Sequence, residues 1–137
     1  MEAAVERHID ARPEAVAKLM FDPMRDPEWI GGARSVDSPV GDPTETGARA
    51  DRHGGFLGRK FSWTTEVVKH IPDHLLEMRF VAGPMKGGGV TYRIDPEGKG
   101  SRVSIRNTGP GPEFMSWFVR RSVAKDLDRL AELVRRD

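Results

Sequence analysis

The sequence predicts an α+β fold, an antiparallel sheet of seven strands covered on one face by helices. Three observations predict it. Val5, Arg7 and Ile9 alternate with Glu6, His8 and Asp10 until Pro13 opens a helical spacing. A period of two then recurs from about residue 35 to 108, broken only by turn residues, and beyond Gly109-Pro110-Gly111-Pro112 the period becomes about 3.6. The first segment reads as a strand, the second as a meander of hairpins, the third as one long helix.

In chain order, Val16, Leu19 and Met20 form one apolar stripe and predict a short helix after the first strand. Asp22-Pro23 and Asp26-Pro27 repeat a helix-start signal, in which an Asp caps orphan amides and a Pro fills the first position. They predict a second short helix carrying Trp29 and ended by Gly31-Gly32. Ser35 to Val40 and Gly47 to His53 read as short edge strands, the latter stopping at Gly54-Gly55. Arg59 to Ile71 is the longest strand, with Phe61, Trp63, Thr65 and Val67 on the dry face. Pro72-Asp73 turns into Leu75 to Val81, where Leu76, Met78 and Phe80 face inward. Gly89 to Asp95 aligns Val90, Tyr92 and Ile94, and Arg102 to Thr108 aligns Val103, Ile105 and Asn107. The closing helix runs through Arg136 with Val119, Val123, Leu127, Leu130 and Val134 on one stripe.

At 137 residues the chain is expected to be a single domain, 1–137, that buries roughly two thirds of its unfolded surface. Its 22 Lys and Arg balance 21 Asp and Glu, so no global field draws nucleic acid or anionic lipid. There is no cysteine, which excludes disulfides and thiolate chemistry. No stretch approaches the ~20 apolar residues of a membrane span, and no basic-then-apolar leader precedes the first strand, so a cytoplasmic protein is expected.

Sites for chemistry are sparse. His70 and His74 are separated by the Pro72-Asp73 turn and cannot form a same-face zinc pair, and His8 and His70 fall on the wet face, so no metal is expected. No serine has a Gly-x-Ser-x-Gly context, and in Gly83-Pro84-Met85-Lys86-Gly87-Gly88-Gly89 the lysine precedes the glycines with no helix after them, unlike a phosphate loop. Arg120, Arg121, Lys125, Arg129, Arg135 and Arg136 alternate with Asp126, Asp128 and Glu132, including a Glu132–Arg136 pair; this is a solvated mixed face, and no nucleic-acid partner is expected. Arg7 and Arg52 share parity with inner-face residues and are the candidate polar anchors of any enclosed space. Both also lie near strand ends that reach water. The aromatic cluster Phe114-Met115-Ser116-Trp117-Phe118 covers more of the helix circumference than one stripe needs.

The chain resembles the START-like superfamily, the SRPBCC or helix-grip proteins, in its polyketide cyclase/dehydrase-like branch. The residues that carry the resemblance are Ile9 to Val16 with Trp29, Gly58 to Val67 leading to Ile71-Pro72-Asp73, and the closing helix. Family members usually have a large aromatic near Val16 to Ala17, and this chain has none there. The resemblance implies a curved seven-stranded antiparallel sheet wrapped around the long C-terminal helix, with a cavity between them for an apolar or aromatic molecule. The dry-face residues named above are then either solid core or pocket wall. As wall, the ligand-binding candidates are Phe61, Trp63, Val67, Met78, Phe80, Tyr92 and Asn107, with Phe114, Trp117 and Phe118 from the helix start. The implied function is binding of a polyketide-, quinone- or lipid-like ligand, with cyclase, aromatase or dehydratase activity as a special case and no cofactor. A non-catalytic protein-interaction module using edge strands or the Phe114 to Phe118 cluster is the alternative. A monomer or weak homodimer is expected.

Overall fold

In the computed structural model, which describes residues 1–56 and 58–136, one antiparallel sheet is built from β1 (Glu2–Ile9), β2 (Ala33–Val36), β3 (Arg49–Phe56), β4 (Arg59–Ile71), β5 (Leu75–Ala82), β6 (Gly89–Glu97) and β7 (Gly100–Thr108). Its strand order is β1-β7-β6-β5-β4-β3-β2. Apart from β1, which joins at the far edge beside β7, each strand lies next to its neighbour in sequence. Three helices complete the fold: α1 (Pro13–Met20), α2 (Asp26–Trp29) and α3 (Met115–Arg136), with a 3-10 turn at Pro23–Arg25 before α2. The side chain of Arg136, and with it the expected Glu132–Arg136 pair, lies outside the described residues.

Local chemistry accounts for most boundaries. Pro13 opens α1, and Asp22 caps the 3-10 turn by accepting from the Met24 amide at 3.0 Å. Asp73 takes φ 61° in the β4–β5 turn, a left-handed conformation that Asp tolerates. Ile9, Val16, Leu19, Met20, Trp29, Ile94, Val103, Leu127 and Leu130 are fully buried and tie α1, α2 and α3 to the sheet. Each large aliphatic so placed contributes ~1.5–3 kcal/mol relative to exposure.

Four expectations are corrected. The second strand is Ala33–Val36 rather than Ser35 to Val40. The third is Arg49–Phe56 and runs through Gly54-Gly55 instead of stopping there. Those glycines admit a close approach: a Cβ on Gly54 would lie 1.8 Å from the Gly32 carbonyl oxygen. Gly54→Ala is therefore expected to lower stability by about 3 kcal/mol, from β2 losing its seat on β3, and urea denaturation checks it. α2 ends at Trp29 with Ile30 as its C-cap, before the Gly31-Gly32 pair, and the Ile30 amide closes the turn on the Asp26 carbonyl. Finally, the pairing of β4 with β5 shifts between Val67 and Lys69, a bulge that places His70 opposite Leu76 on the inner face, edge-on to Phe21 at 5.9 Å. His70 is thus not on the wet face.

Candidate functional site

Between the inner face of the sheet and α3 lies a cavity of about 120 Å³. β4 contributes Trp63 and Thr65, β5 Met78 and Phe80, β6 Val90 and Tyr92, and β7 Ile105 and Asn107. Arg52 enters from β3, Trp29 and Ile30 from the α2 end, and Val123 and Asp126 from α3. Alternation along the strands produces this convergence, since residues two apart share a face and antiparallel partners such as Met78 and Val90, or Tyr92 and Ile105, sit side by side. A smaller space of about 10 Å³ adjoins it, reached by Arg52, Thr65 and Tyr92 together with Asp26 and Val67.

The polar wall is organised by two carboxylates. Asp26 and Arg52, 1% and 4% exposed, form an ion pair with Nε donating to Oδ2 at 2.5 Å. Arg52 also donates from Nη1 to the Thr65 hydroxyl. These bonds use two of the five guanidinium donors. Burial pushes the Asp26 carboxyl up to about 6 against the lowering effect of Arg52. Asp126, on α3, accepts from the Gly31 amide at 3.0 Å and from Arg129, whose Nε also donates to the Trp29 carbonyl oxygen at 2.9 Å. Burial raises its pKa too, opposed by those same partners. This cluster fastens α2 to α3 at one end of the cavity. The Tyr92 phenol is held far above its usual range by burial and by the nearby Asp26 charge, so it stays neutral. Trp29 stands edge-on to Tyr92 at 5.7 Å, and its indole N–H is buried with no hydrogen-bond partner among the described residues.

Of the residues predicted from sequence, the structure brings Arg52, Trp63, Met78, Phe80, Tyr92 and Asn107 together around the main cavity. Val67 lies beside the smaller one. Phe61 packs on Trp63 at 5.5 Å but borders an outer groove with Arg34, His53 and Lys60. Arg7 is placed at the surface, 3.4 Å from Asp128, and does not line the cavity. Phe114, Trp117 and Phe118 are exposed and stand away from it.

Sequence reasoning did not place Trp29, Ile30, Val123 and Asp126 at the cavity wall, nor pair Asp26 with Arg52. Asp26 looked like a cap, identical in context to Asp22, yet its carboxylate turns to Arg52. Asp126 did leave a signal: it lies three after Val123 and four before Leu130, on the apolar stripe, where a solvated acid has no place. On the outer face His53 joins Ser62 at 2.7 Å and Asp37 at 3.0 Å. That trio is open to water, and the strand amides around it are committed to the sheet ladder. Among the described residues no group of three or more His, Asp or Glu is arranged to hold a metal ion, and no helix is long and apolar enough to cross a membrane.

A curled antiparallel sheet gripping a long C-terminal helix, with a partly polar cavity between them, defines the helix-grip class. The chain belongs to the family described as polyketide cyclase/dehydrase and lipid transport, whose sequence signature matches residues 1–135. Among solved structures it resembles the protein TTHA0849 from Thermus thermophilus, with TM-score 0.81 and 23% identity over 98% of this chain and 97% of that one. It also resembles the Zhui aromatase/cyclase from Streptomyces sp. R1128, with TM-score 0.81 and 12% identity over 99% and 94%. Ara h 8.0201 superposes with TM-score 0.75 and 10% identity over 100% and 99%. These likenesses establish a shared fold. No protein among those of curated function matches the chain.

Proposed function

We propose that the protein binds a small apolar or aromatic molecule between the sheet and α3, one ring enclosed by Trp63, Met78, Phe80, Val90 and Ile105. The observation that carries this reading is the cavity itself. At about 120 Å³ it is close to the ~150 Å³ that holds benzene in an apolar cavity of another protein. A larger polyketide-, quinone- or lipid-like ligand would seat one ring there and extend toward solvent. The spare guanidinium donors of Arg52, with Asn107, supply orientation for a ligand oxygen. The polyketide cyclase/dehydrase family, and the likeness to an aromatase/cyclase fold, fit such a ligand.

The geometry supports binding more directly than chemistry. Burial keeps the Tyr92 phenol neutral, so it offers no phenolate base. Asp26 has a suitable acidity but reaches only the smaller space and is bound to Arg52. Cyclisation or dehydration would therefore depend mainly on the shape of the pocket.

Trp29 and Trp63 both line the cavity, so tryptophan emission reports its occupancy. Titration with naphthoquinones, aromatic polyketides and fatty acids should give a saturable change for at least one class. Trp63→Ala should weaken that affinity by about tenfold, the loss of one aromatic face and its buried area. No saturable response across the panel would overturn the proposal, and a response with undiminished affinity in Trp63→Ala would place the ligand elsewhere.

A further inference from the structure

The start of α3 carries an aromatic cluster that the fold does not use. Phe114 is 67% exposed, Trp117 52% and Phe118 42%. Helix N-termini ordinarily collect acidic side chains, which favour the positive end of the helix dipole, yet the first turn of α3 contains none. From Phe114 to Lys125 there is no acidic residue at all, while Arg120, Arg121 and Lys125 are exposed. Trp117, Arg121 and Lys125 follow one another four apart along the outward side, and Phe118 stands three before Arg121. The Arg121 guanidinium stands 5.6 Å from the Trp117 ring centroid. Just before the cluster, Glu113 faces the Met1 ammonium at 3.6 Å. Beside it an open groove of about 440 Å³ runs between β1 and α3, where Arg7, Arg120 and Arg121 outnumber Glu6.

We propose that this end of α3 docks on an anionic phospholipid surface. Trp117, Phe118 and Phe114 enter the boundary between headgroups and acyl chains, where amphipathic aromatic rings settle, and Arg120 and Arg121 meet the lipid phosphates. The run from Phe114 to Lys125, with three cations and no acid, is what favours lipid over a protein partner. A bilayer surface presents one sign of charge over a broad area and rewards unmixed cations, whereas a protein surface of mixed charge selects for interspersed acids. Val123, one to two turns further along the same helix, walls the cavity, so docking would seat the cavity-facing part of α3 close to the lipid. The docking residues all lie at the surface, and docking does not depend on what the cavity holds.

Co-sedimentation with sucrose-loaded phosphatidylcholine vesicles, with and without phosphatidylserine, tests it on the full chain. The wild type should partition at least tenfold more strongly onto the phosphatidylserine vesicles, with the difference shrinking at high salt. Arg120→Gln with Arg121→Gln should lower that partitioning by about tenfold or more. Trp117→Ala with Phe118→Ala should lower binding to vesicles of either composition while leaving the thermal melt in place, since both side chains are exposed. A wild type without preference for phosphatidylserine, or an aromatic double variant that binds as well as the wild type, would overturn the proposal. So would a wild-type oligomer that ignores vesicles and that the aromatic double variant dissociates, since the occupant would then be a second copy of the chain.

Discussion

Replacing Arg52 with leucine is expected to make stability fall by about 1.4 kcal/mol for each pH unit above about pH 6, where the wild type levels off. The Asp26 carboxyl is raised from 3.8 to about 6 because burial outweighs the attraction of Arg52. The folded state therefore binds this proton more readily than the unfolded one. The resulting stability is fully present below about pH 4, is lost as pH rises through about 6, and changes no further above that. Without Arg52 the lowering influence disappears and the folded pKa climbs, so the losing window extends upward. Breaking a buried pair this way costs ~3–5 kcal/mol once the remaining group is charged or must hold its proton against the solvent. At about pH 5 Asp26 is protonated in both proteins, and the deficit should be small. Glu66 and Glu97 have pKa values lowered mainly by their hydrogen bonds to arginines, so their contribution fades only in acid and is common to both proteins. Urea denaturation at several pH values measures the slope. A deficit equal at pH 5 and pH 8 would mean that Arg52 matters as packing and not as a charge. The companion variant Asp26→Leu with Arg52→Met should match the wild type or exceed it by ~1–4 kcal/mol, with the pH slope gone.

The same pair marks where sequence reading stops. Alternation along β4 and β5, and the 3.6 period of α3, were legible because a sheet or helix with one dry face repeats its pattern locally. Asp22-Pro23 and Asp26-Pro27 are locally equivalent, and both read as caps. Only one is: Asp22 bonds the Met24 amide two residues on, whereas Asp26 bonds Arg52 across 26 positions. That choice is made by the fold. Gly54-Gly55 read as a strand end because glycine usually breaks strands, yet here the missing side chain lets β2 approach β3. The bulge near Val68 leaves no mark in the sequence and reverses the facing of His70. Six of the candidate cavity residues could be named because parity alone puts them on the concave face. Arg7 shares that parity but turns to Asp128 at the surface, since a long side chain beside α3 can leave the face its backbone assigns.

Val123→Phe is the substitution that separates a working pocket from an incidental gap in packing. Val123 reaches the cavity from α3 and is only partly buried, so a phenyl ring there has about 120 Å³ to enter. If the space is a binding site, the ring occupies the ligand's seat between Trp63, Phe80 and Val90. Affinity should then fall by about a hundredfold or more, as expected when ~3 kcal/mol of enclosed contact is pre-empted. Stability should hold or rise by ~0.5–2 kcal/mol, because filling a void adds packing without straining its walls. If α3 and the sheet close the space in solution, the same ring overpacks the interface and costs ~1–3 kcal/mol. One variant therefore separates an open space, where stability holds or rises, from a closed one, where it falls. Fluorescence titration alongside urea denaturation reads both quantities from one preparation. A destabilised Val123→Phe with unchanged ligand affinity would remove the cavity from consideration as the site.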